Sequence, residues 1–416
     1  MSFEQGKPLT LWRDIDPNPR PLKSPPRSNA KHVPVIGGGI TALVTAWVLL
    51  DHGYRITLVA KSWFSKTERL TSQIAGALWE YPPPVCGNHS NDSNNISRFK
   101  NWSMVGYYIF KGLAAETSFA TSCGIKTVSS TFFSRSRIED IPDKYQKMIE
   151  IQASGVQGFR RDDKILQERG IDASAGVVDT FELLAPIIDT DKALEHIMHL
   201  VRSKGARSVT ESIEQDLNDI EESLLARFPA HVVVNATGLD SKVVAGDTTV
   251  SPIRGALLRF VNDWVGYPKV DRALTAPSPD LNKDQFIFLV PRNDDTLVMG
   301  GVSQSHQWDL NLTPQSPEVV QMREMCELSM PALKNGCLVE EYPLAQGLRP
   351  FREQDTRVER DTRRKCSRII HSYAQGGSGW SWSFGCAQEV LDLFEIVIRE
   401  THSSALDCER CAAPAP

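Results

Sequence analysis

The sequence predicts an α/β chain in which the pieces of one parallel-sheet layer are interleaved with a β-rich layer. Three observations carry this. Residues 33–60 read as apolar strand, glycine-rich turn, apolar helix and second apolar strand. A buried strand ending in Asn235-Ala236-Thr237-Gly238 and a strand–turn–helix unit from Arg368 onward repeat the theme. Between those two lies a run of short strands, from about 254 to 304, separated by polar, Pro- or Asp-containing turns.

The 416 residues carry 46 Lys and Arg against 51 Asp and Glu, a net charge of −5, with 41% apolar and 23% charged residues. At roughly 150 residues per domain this is an ordinary globular chain of two or three domains. The mildly acidic balance excludes a strongly basic nucleic-acid footprint. The longest apolar stretch, Ile40 to Leu50, is far short of the ~20 residues a membrane span needs. The N-terminal segment has no apolar h-region, so reduced thiols in a cytosolic or organellar compartment are expected, the cytoplasm first. Of the eight cysteines, only Cys408 and Cys411 form a CxxC, and with no second pair no metal is expected. His196 and His199 sit in the amphipathic DKALEHIMHLVRSKG and are read as packing residues. The sequons at Asn88, Asn91, Asn95, Asn101 and Asn311 are read as chance matches, the first four in one Asn/Ser-rich loop.

Residues 1 to about 30 are Pro-rich and aperiodic, an extended arm. The strand Val33–Ile36 then enters Gly37-x-Gly39-x-x-Ala42, the helix runs from Ile40 to about Leu50, Gly53 stops it, and Arg55–Ala60 is the next strand. The chemistry asks for these residues. Gly37 allows the tight turn, Gly39 lets backbone approach a pyrophosphate, and Ala42 lets helix and strand pack closely. The helix N-terminus directs partial positive charge at the phosphates. This is a Rossmann-like unit. Two features depart from the pattern: Pro34 interrupts a strand that should be central, and Lys61 stands where the ribose-binding acid is expected. The other reading of the stretch is a helix hairpin.

Farther on, DKALEHIMHLVRSKGARSVTESI reads as helix, Gly stop and strand, and Val232–Val234 as a buried strand. RIIHSYAQGGSGWSWSFGCAQEVLDLFEIVIRE reads as strand, Gly-rich turn and amphipathic helix, with Val390, Leu391, Phe394, Val397 and Ile398 on one face.

Several of these segments together resemble the D-amino acid oxidase family of FAD-dependent oxidoreductases, over roughly residues 32 to 400. VIGGGITA is similar to the family's dinucleotide turn. Thr71 to Trp79 (TSQIAGALW) resembles its segment around the pyrophosphate and isoalloxazine, and VVVNATG its VxNCTG strand. Ile253-Arg254-Gly255 resembles its Arg-Gly turn, Gly347-Leu348-Arg349-Pro350 with Arg352 its carboxylate-binding signature, and YAQGGSGWS its glycine-rich flavin loop. The resemblance implies a discontinuous FAD-binding domain (31–80, 185–250, 352–402) and a substrate domain (81–184, 251–351), with a Pro-rich arm at 1–30 and a flexible tail at 403–416. It implies FAD contacts from Gly37, Gly39, Ile40, Thr41, Lys61, Thr71, Ser72, Gln73, Gly76, Ala77, Leu78, Thr210, Gly238, Arg349, Gly377, Gly379, Trp380 and Ser381. Arg349, Phe288 and Trp380 are the catalytic candidates.

What the resemblance implies chemically is hydride transfer from a substrate C–H bond to flavin N5, with dioxygen as acceptor. Arg349 suits a bidentate carboxylate; its other reading is an ion pair with Glu353 or Asp355. Backbone N–H groups of Gly377 to Ser381 suit negative charge on the reduced flavin. The departures concern substrate. Counting back from Pro291 places Phe288 where family members carry a carboxylate-binding tyrosine, and a second tyrosine position falls near Asp284. Trp380 and Trp382 add bulky apolar surface, and the chain ends Ala-Pro-Ala-Pro rather than in a Ser-Lys-Leu peroxisomal address. The Pro-rich arm and SQIAGALWEYPPPVCG are similar to fungal members found in specialised metabolism, kojic-acid-type oxidoreductases among them. The expected activity is an amine or atypical amino acid oxidase of a small molecule. The alternatives are an alcohol or sugar-derived metabolite oxidoreductase and a non-enzymatic flavin-binding scaffold.

Overall fold

The computed structural model of the chain describes residues 29–82, 93–171, 176–263, 265–278 and 285–411, the side chains of 93–94 and 402–411 excepted. The arm up to residue 28, Cys86, Asn88, Asn91, Asp284 and the thiols of Cys408 and Cys411 lie outside the described residues and side chains. The strands in chain order are β1 (His32–Ile36), β2 (Arg55–Ala60), β3 (Ile125–Ser134), β4 (Asp179–Ile188), β5 (Arg207–Thr210), β6 (Val233–Asn235) and β7 (Val250–Val261). They continue as β8 (Ala273–Pro277), β9 (Gln285–Pro291), β10 (Thr296–Ser305), β11 (Leu344–Arg352), β12 (Arg357–Arg360) and β13 (Ile369–Tyr373).

Two sheets form. One has the order β12-β13-β6-β1-β2-β5, parallel except for the β12–β13 hairpin. The other has the order β11-β7-β10-β9-β8-β3-β4 and is antiparallel except for β3 against β8. The strands of each sheet come from several stretches of chain, as interleaving requires. β1 is central and buried along its whole length, Pro34 included. Pairing with β6 begins only at Val35, past the proline, while β2 pairs with the full strand. The missing N–H therefore falls between the bond from His231 N–H to the His32 carbonyl, at 3.0 Å, and the start of the regular β6 ladder.

Helix α1 (Ile40–Asp51) is apolar on nearly all sides because it is covered on nearly all sides. It packs against the helix Thr190–Ser203 and the long helix Gly379–Cys411. Gly53 (φ +83°) ends its turn and Gly205 (φ +98°) that of the helix Thr190–Ser203, as the sequence indicates. The last helix continues to Cys411, past residue 402 where a tail is expected; no Gly or Pro interrupts THSSALDCERC.

Other local expectations are corrected. Asn95 and Asn101 belong to the helix Ser93–Ala115, not to a loop, since the apolar residues that follow recur at helical spacing. Trp382 is fully buried, stacked on Phe99 at 4.8 Å and donating to Ser103 Oγ at 2.9 Å, so it is a core residue. His196 is buried edge-on against Phe119 at 4.9 Å while His199 is exposed, which splits the pair. Among the described residues no His/Cys/Asp/Glu group is arranged to hold a metal. No helix among them is long and apolar enough to cross a membrane.

Candidate active site

The carboxyl ends of β1, β2 and β6 open onto a cavity of about 530 Å³ that reaches across to the second sheet. Its floor is the turn between β1 and α1. Gly37 has φ +139°, and a Cβ there would lie 2.3 Å from the Ala236 carbonyl oxygen. A Cβ on Gly38 would lie 2.5 Å from the Ser62 carbonyl oxygen, and one on Gly39 3.0 Å from Ser72 Oγ. The first two glycines let the turn fit between strands, whereas Gly39 faces the cavity. The N-cap of α1 has no side-chain cap and its first turn no acidic residue. Ser72 Oγ accepts from the Ile40 N–H at 3.0 Å. An uncapped helix end with a glycine cradle is the surface a pyrophosphate needs, so the residues present fit a dinucleotide.

At one end of the cavity Lys61 Nζ pairs with Asp240 Oδ2 at 2.7 Å, both exposed, and Glu211 stands beside them, held by Arg227 at 2.6 Å. Lys61 is thus neutralised by an acid from the β6 side rather than vacant. The segment from Leu70 to Leu78 forms another wall. Thr71 Oγ1 donates to the Leu348 carbonyl at 3.2 Å, and Trp380 Nε1 to the Ser72 carbonyl at 2.8 Å. Ala77 takes φ +47°, and Ile188 N–H donates to its carbonyl at 3.1 Å. Gly238, Gly377, Gly379 and Ser381 complete the wall on the first-sheet side.

The far end belongs to the second sheet. Arg349 on β11 lies over Gly255 on β7, and its guanidinium donates to the Val302 carbonyl at 3.3 Å. It forms no ion pair among the described residues, Glu353 and Asp355 included. Phe288 on β9 faces Gly76, where a Cβ would lie 2.3 Å from the ring. The backbone carrying Arg349 is anchored by Asp247, which receives Arg352 Nε at 2.6 Å, Tyr373 OH at 2.7 Å and Thr249 Oγ1 at 2.5 Å. Burial alone would raise the Asp247 pKa; those bonds outweigh it and bring it down to about 2.

The cavity therefore brings together Gly37, Gly39, Ile40, Thr41, Lys61, Thr71, Ser72, Gly76, Ala77, Leu78, Gly238, Phe288, Arg349, Gly377, Gly379, Trp380 and Ser381. Gln73 and Thr210 are not in its wall. Gln73 turns back to accept from Leu70 N–H at 3.0 Å and donates to Ser65 and Asp191 at 2.9 Å each, holding the segment in shape. Thr210 lies on an edge strand with its hydroxyl accepting from Trp63 Nε1 at 2.8 Å, so the wall begins one residue later. Sequence reasoning did not find Asp240, Glu211 or Glu80, the last paired with Lys147 at 2.9 Å. Asp240 follows the NATG turn by two residues, which is the signal that could have found it.

Comparison with known proteins gives a consistent picture. The family model described as FAD-dependent oxidoreductase matches residues 32–393. A D-amino-acid oxidase of Rubrobacter xylanophilus is 27% identical over 360 residues, covering 86% of this chain and 94% of the relative. Among solved structures, glycine oxidase from Geobacillus kaustophilus matches with TM-score 0.67 at 16% identity, covering 88% of this chain and 95% of that one. L-α-glycerophosphate oxidase from Mycoplasma pneumoniae, solved with FAD bound, matches with TM-score 0.64 at 13% identity, covering 88% and 95%.

Proposed function

The chain belongs to the DAO family of FAD-dependent oxidoreductases, and from that premise we propose that it oxidises a small amine or an atypical amino acid, with dioxygen as acceptor. FAD, when bound, supplies the acceptor for the two electrons of a substrate C–H bond. The turn Gly37–Thr41 with Ser72 would hold the pyrophosphate, and Gly76–Leu78, Gly238, Gly377, Gly379 and Ser381 would line the rest of the cofactor. In this reading the six-stranded layer carries the cofactor and the seven-stranded layer the substrate.

One observation carries the substrate reading. Arg349 presents a half-buried guanidinium to the cavity with a single carbonyl partner and no carboxylate among the described residues. A charge left in that state suits an acidic group of the substrate, received through two parallel N–H bonds. Phe288, across the same end, offers a ring and no hydroxyl, so part of the substrate there is apolar. N–H groups at the start of the last helix favour negative charge developing at that end of the cavity. No side chain is required as a strong base; the residues orient the substrate and exclude water.

The test is peroxide release by FAD-loaded protein on a panel of D-amino acids, N-substituted amino acids and amines, with alcohols and sugar-derived acids in parallel. Turnover of N-substituted or bulky amino substrates, with D-alanine poor, is the expected result. Phe288→Tyr should improve D-alanine turnover, because a hydroxyl there can add one hydrogen bond worth about 1 kcal/mol. Efficient D-alanine oxidation by the unaltered protein would contradict the assignment of Phe288, and turnover confined to alcohols would contradict the amine reading.

A further inference from the structure

A second cationic site lies away from the cavity's substrate end, where β7 passes beneath the start of the Leu70–Leu78 segment. Gly255 and Leu257 line the cavity, and Arg259 is the next residue on that face of the strand, about 14 Å from Gly255 at ~3.4 Å per residue. The Arg259 guanidinium lies 5.0 Å from the centre of the Tyr342 ring, and that of Arg69 lies 4.0 Å from the same ring. Arg292, 2% exposed, completes the group from the end of β9.

The charges there do not balance. Asp191 lies 3.5 Å from Arg69 Nε and Asp189 3.7 Å from Arg292 Nε. Asp191 also accepts from Gln73 and Asp189 from Asn293, each at 2.9 Å. Arg259 has no carboxylate partner among the described residues, and its Nε is buried without a hydrogen-bond partner. The Nε atoms of Arg69 and Arg292 are likewise buried without hydrogen bonds. Three guanidinium groups against two carboxylates leave one positive charge, and an aromatic face screens it only weakly. Arg69 and Arg259 both remain partly open to solvent, so a small ion can reach them.

We propose that Arg69 and Arg259, beside Tyr342, form a binding site for a small oxyanion, a carboxylate or a phosphate. Arg69 Nη1 donates to the Lys66 carbonyl at 2.6 Å, so Arg259 brings the open fork, suited to planar or tetrahedral oxygens, and Arg69 a second positive charge against the same ring. The occupant would clamp the residue before Leu70 to β7, and so fasten the segment that walls the cavity to the sheet beneath it. The site does not depend on the identity of the substrate.

The experiment is thermal unfolding of the full-length, FAD-loaded protein titrated with inorganic phosphate, or with acetate, at ionic strength held constant with chloride. The midpoint should rise saturably with at least one of the two, which also says whether phosphate or carboxylate is the better ligand. Arg259→Gln should weaken the apparent affinity at least about tenfold, a loss of ~1.4 kcal/mol. Arg69→Gln, on the more open wall, gives the same readout should Arg259→Gln fail to fold. Arg349→Ala should leave the response in place. A midpoint that follows chloride equally well, or a response abolished by Arg349→Ala and untouched by Arg259→Gln and Arg69→Gln, would overturn the proposal.

Discussion

The guanidinium of Arg349 rests so close over Gly255 that a Cβ added there would lie 2.5 Å from Arg349 Cζ. The two residues sit two rungs apart on the paired strands β11 and β7, with Arg349 opposite Ile253 and Gly347 opposite Gly255. The missing side chain on one strand thus makes room for the charged one on the other. Gly255 is ordinary in its backbone and demanded only by this contact.

Gly255→Ala should displace the Arg349 guanidinium while leaving the strand pairing intact. A shift on the order of 1 Å in a positioned group lowers kcat/KM by ~10². Steady-state kinetics alongside flavin absorbance per protein checks it. The expected outcome is normal FAD content with reduced kcat/KM.

Gly39→Val should abolish FAD retention in a folded protein. Its Cβ position lies 3.0 Å from Ser72 Oγ, a contact a side chain can accommodate, whereas Gly37 and Gly38 face carbonyl oxygens. Substitution at Gly39 therefore tests cofactor binding, and substitution at the other two tests folding. A colourless protein with an intact circular dichroism spectrum is expected; retained flavin would show that the turn does not hold the pyrophosphate.

Lys61→Glu should weaken FAD binding modestly, by roughly two- to tenfold. The Lys61–Asp240 pair is exposed, and such pairs are worth about 0–1 kcal/mol, so stability should barely change. The substitution places a second carboxylate beside Asp240 at that end of the cavity. Equilibrium dialysis of the apoprotein reads the affinity; tighter binding would mean that an acid belongs at 61.

How much of this was readable from the chain depends on the kind of constraint. The glycines of the 37–39 turn and the strand–helix–strand around them were legible because phosphate geometry and close packing fix residue types over a short span. Arg349 was legible from its neighbours in GLRPFR, but its state was not. Its position is set by distant groups: the guanidinium reaches the Val302 carbonyl, while Asp355 accepts from Asn95 and Arg352 pairs with Asp247, each far off in sequence. Gln73 and Thr210 were misplaced because a strand's last residue or a short helix's third can point either way, and hydrogen bonds to Ser65, Asp191 and Trp63 decide. Trp382 looks like a wall residue in sequence, yet two positions past Trp380 on a helix is the opposite side. Pro34 departs from a central-strand pattern because a proline removes a ladder donor; the regular β6 pairing, confined to Val35 and Ile36, does not call on it.

Asp247 should give the protein an acid-labile anchor. Its carboxyl is ordinarily near 3.8 and stands at about 2 in the folded protein. The depressed value means that its stabilisation, about 2 kcal/mol, is complete above the unfolded-state value and lost as pH falls from about 4 to 2. Asp247→Asn should lower the thermal midpoint at neutral pH and flatten the decline over that acid range. Thermal melts of both proteins at pH 7 and pH 3 measure it; equal differences at the two pH values would mean the carboxylate is not ionised in the fold.

The most direct measurement on the central claim, that Arg349 receives an acidic group beside bound FAD, is ligand titration followed by the flavin absorption spectrum. Small carboxylates should perturb the spectrum of the unaltered FAD-loaded protein saturably. Arg349→Ala should keep its FAD and lose affinity for them by about 10² or more, the ~3 kcal/mol of a desolvated charged contact. An unchanged dissociation constant in a folded, flavin-loaded Arg349→Ala protein would contradict the account.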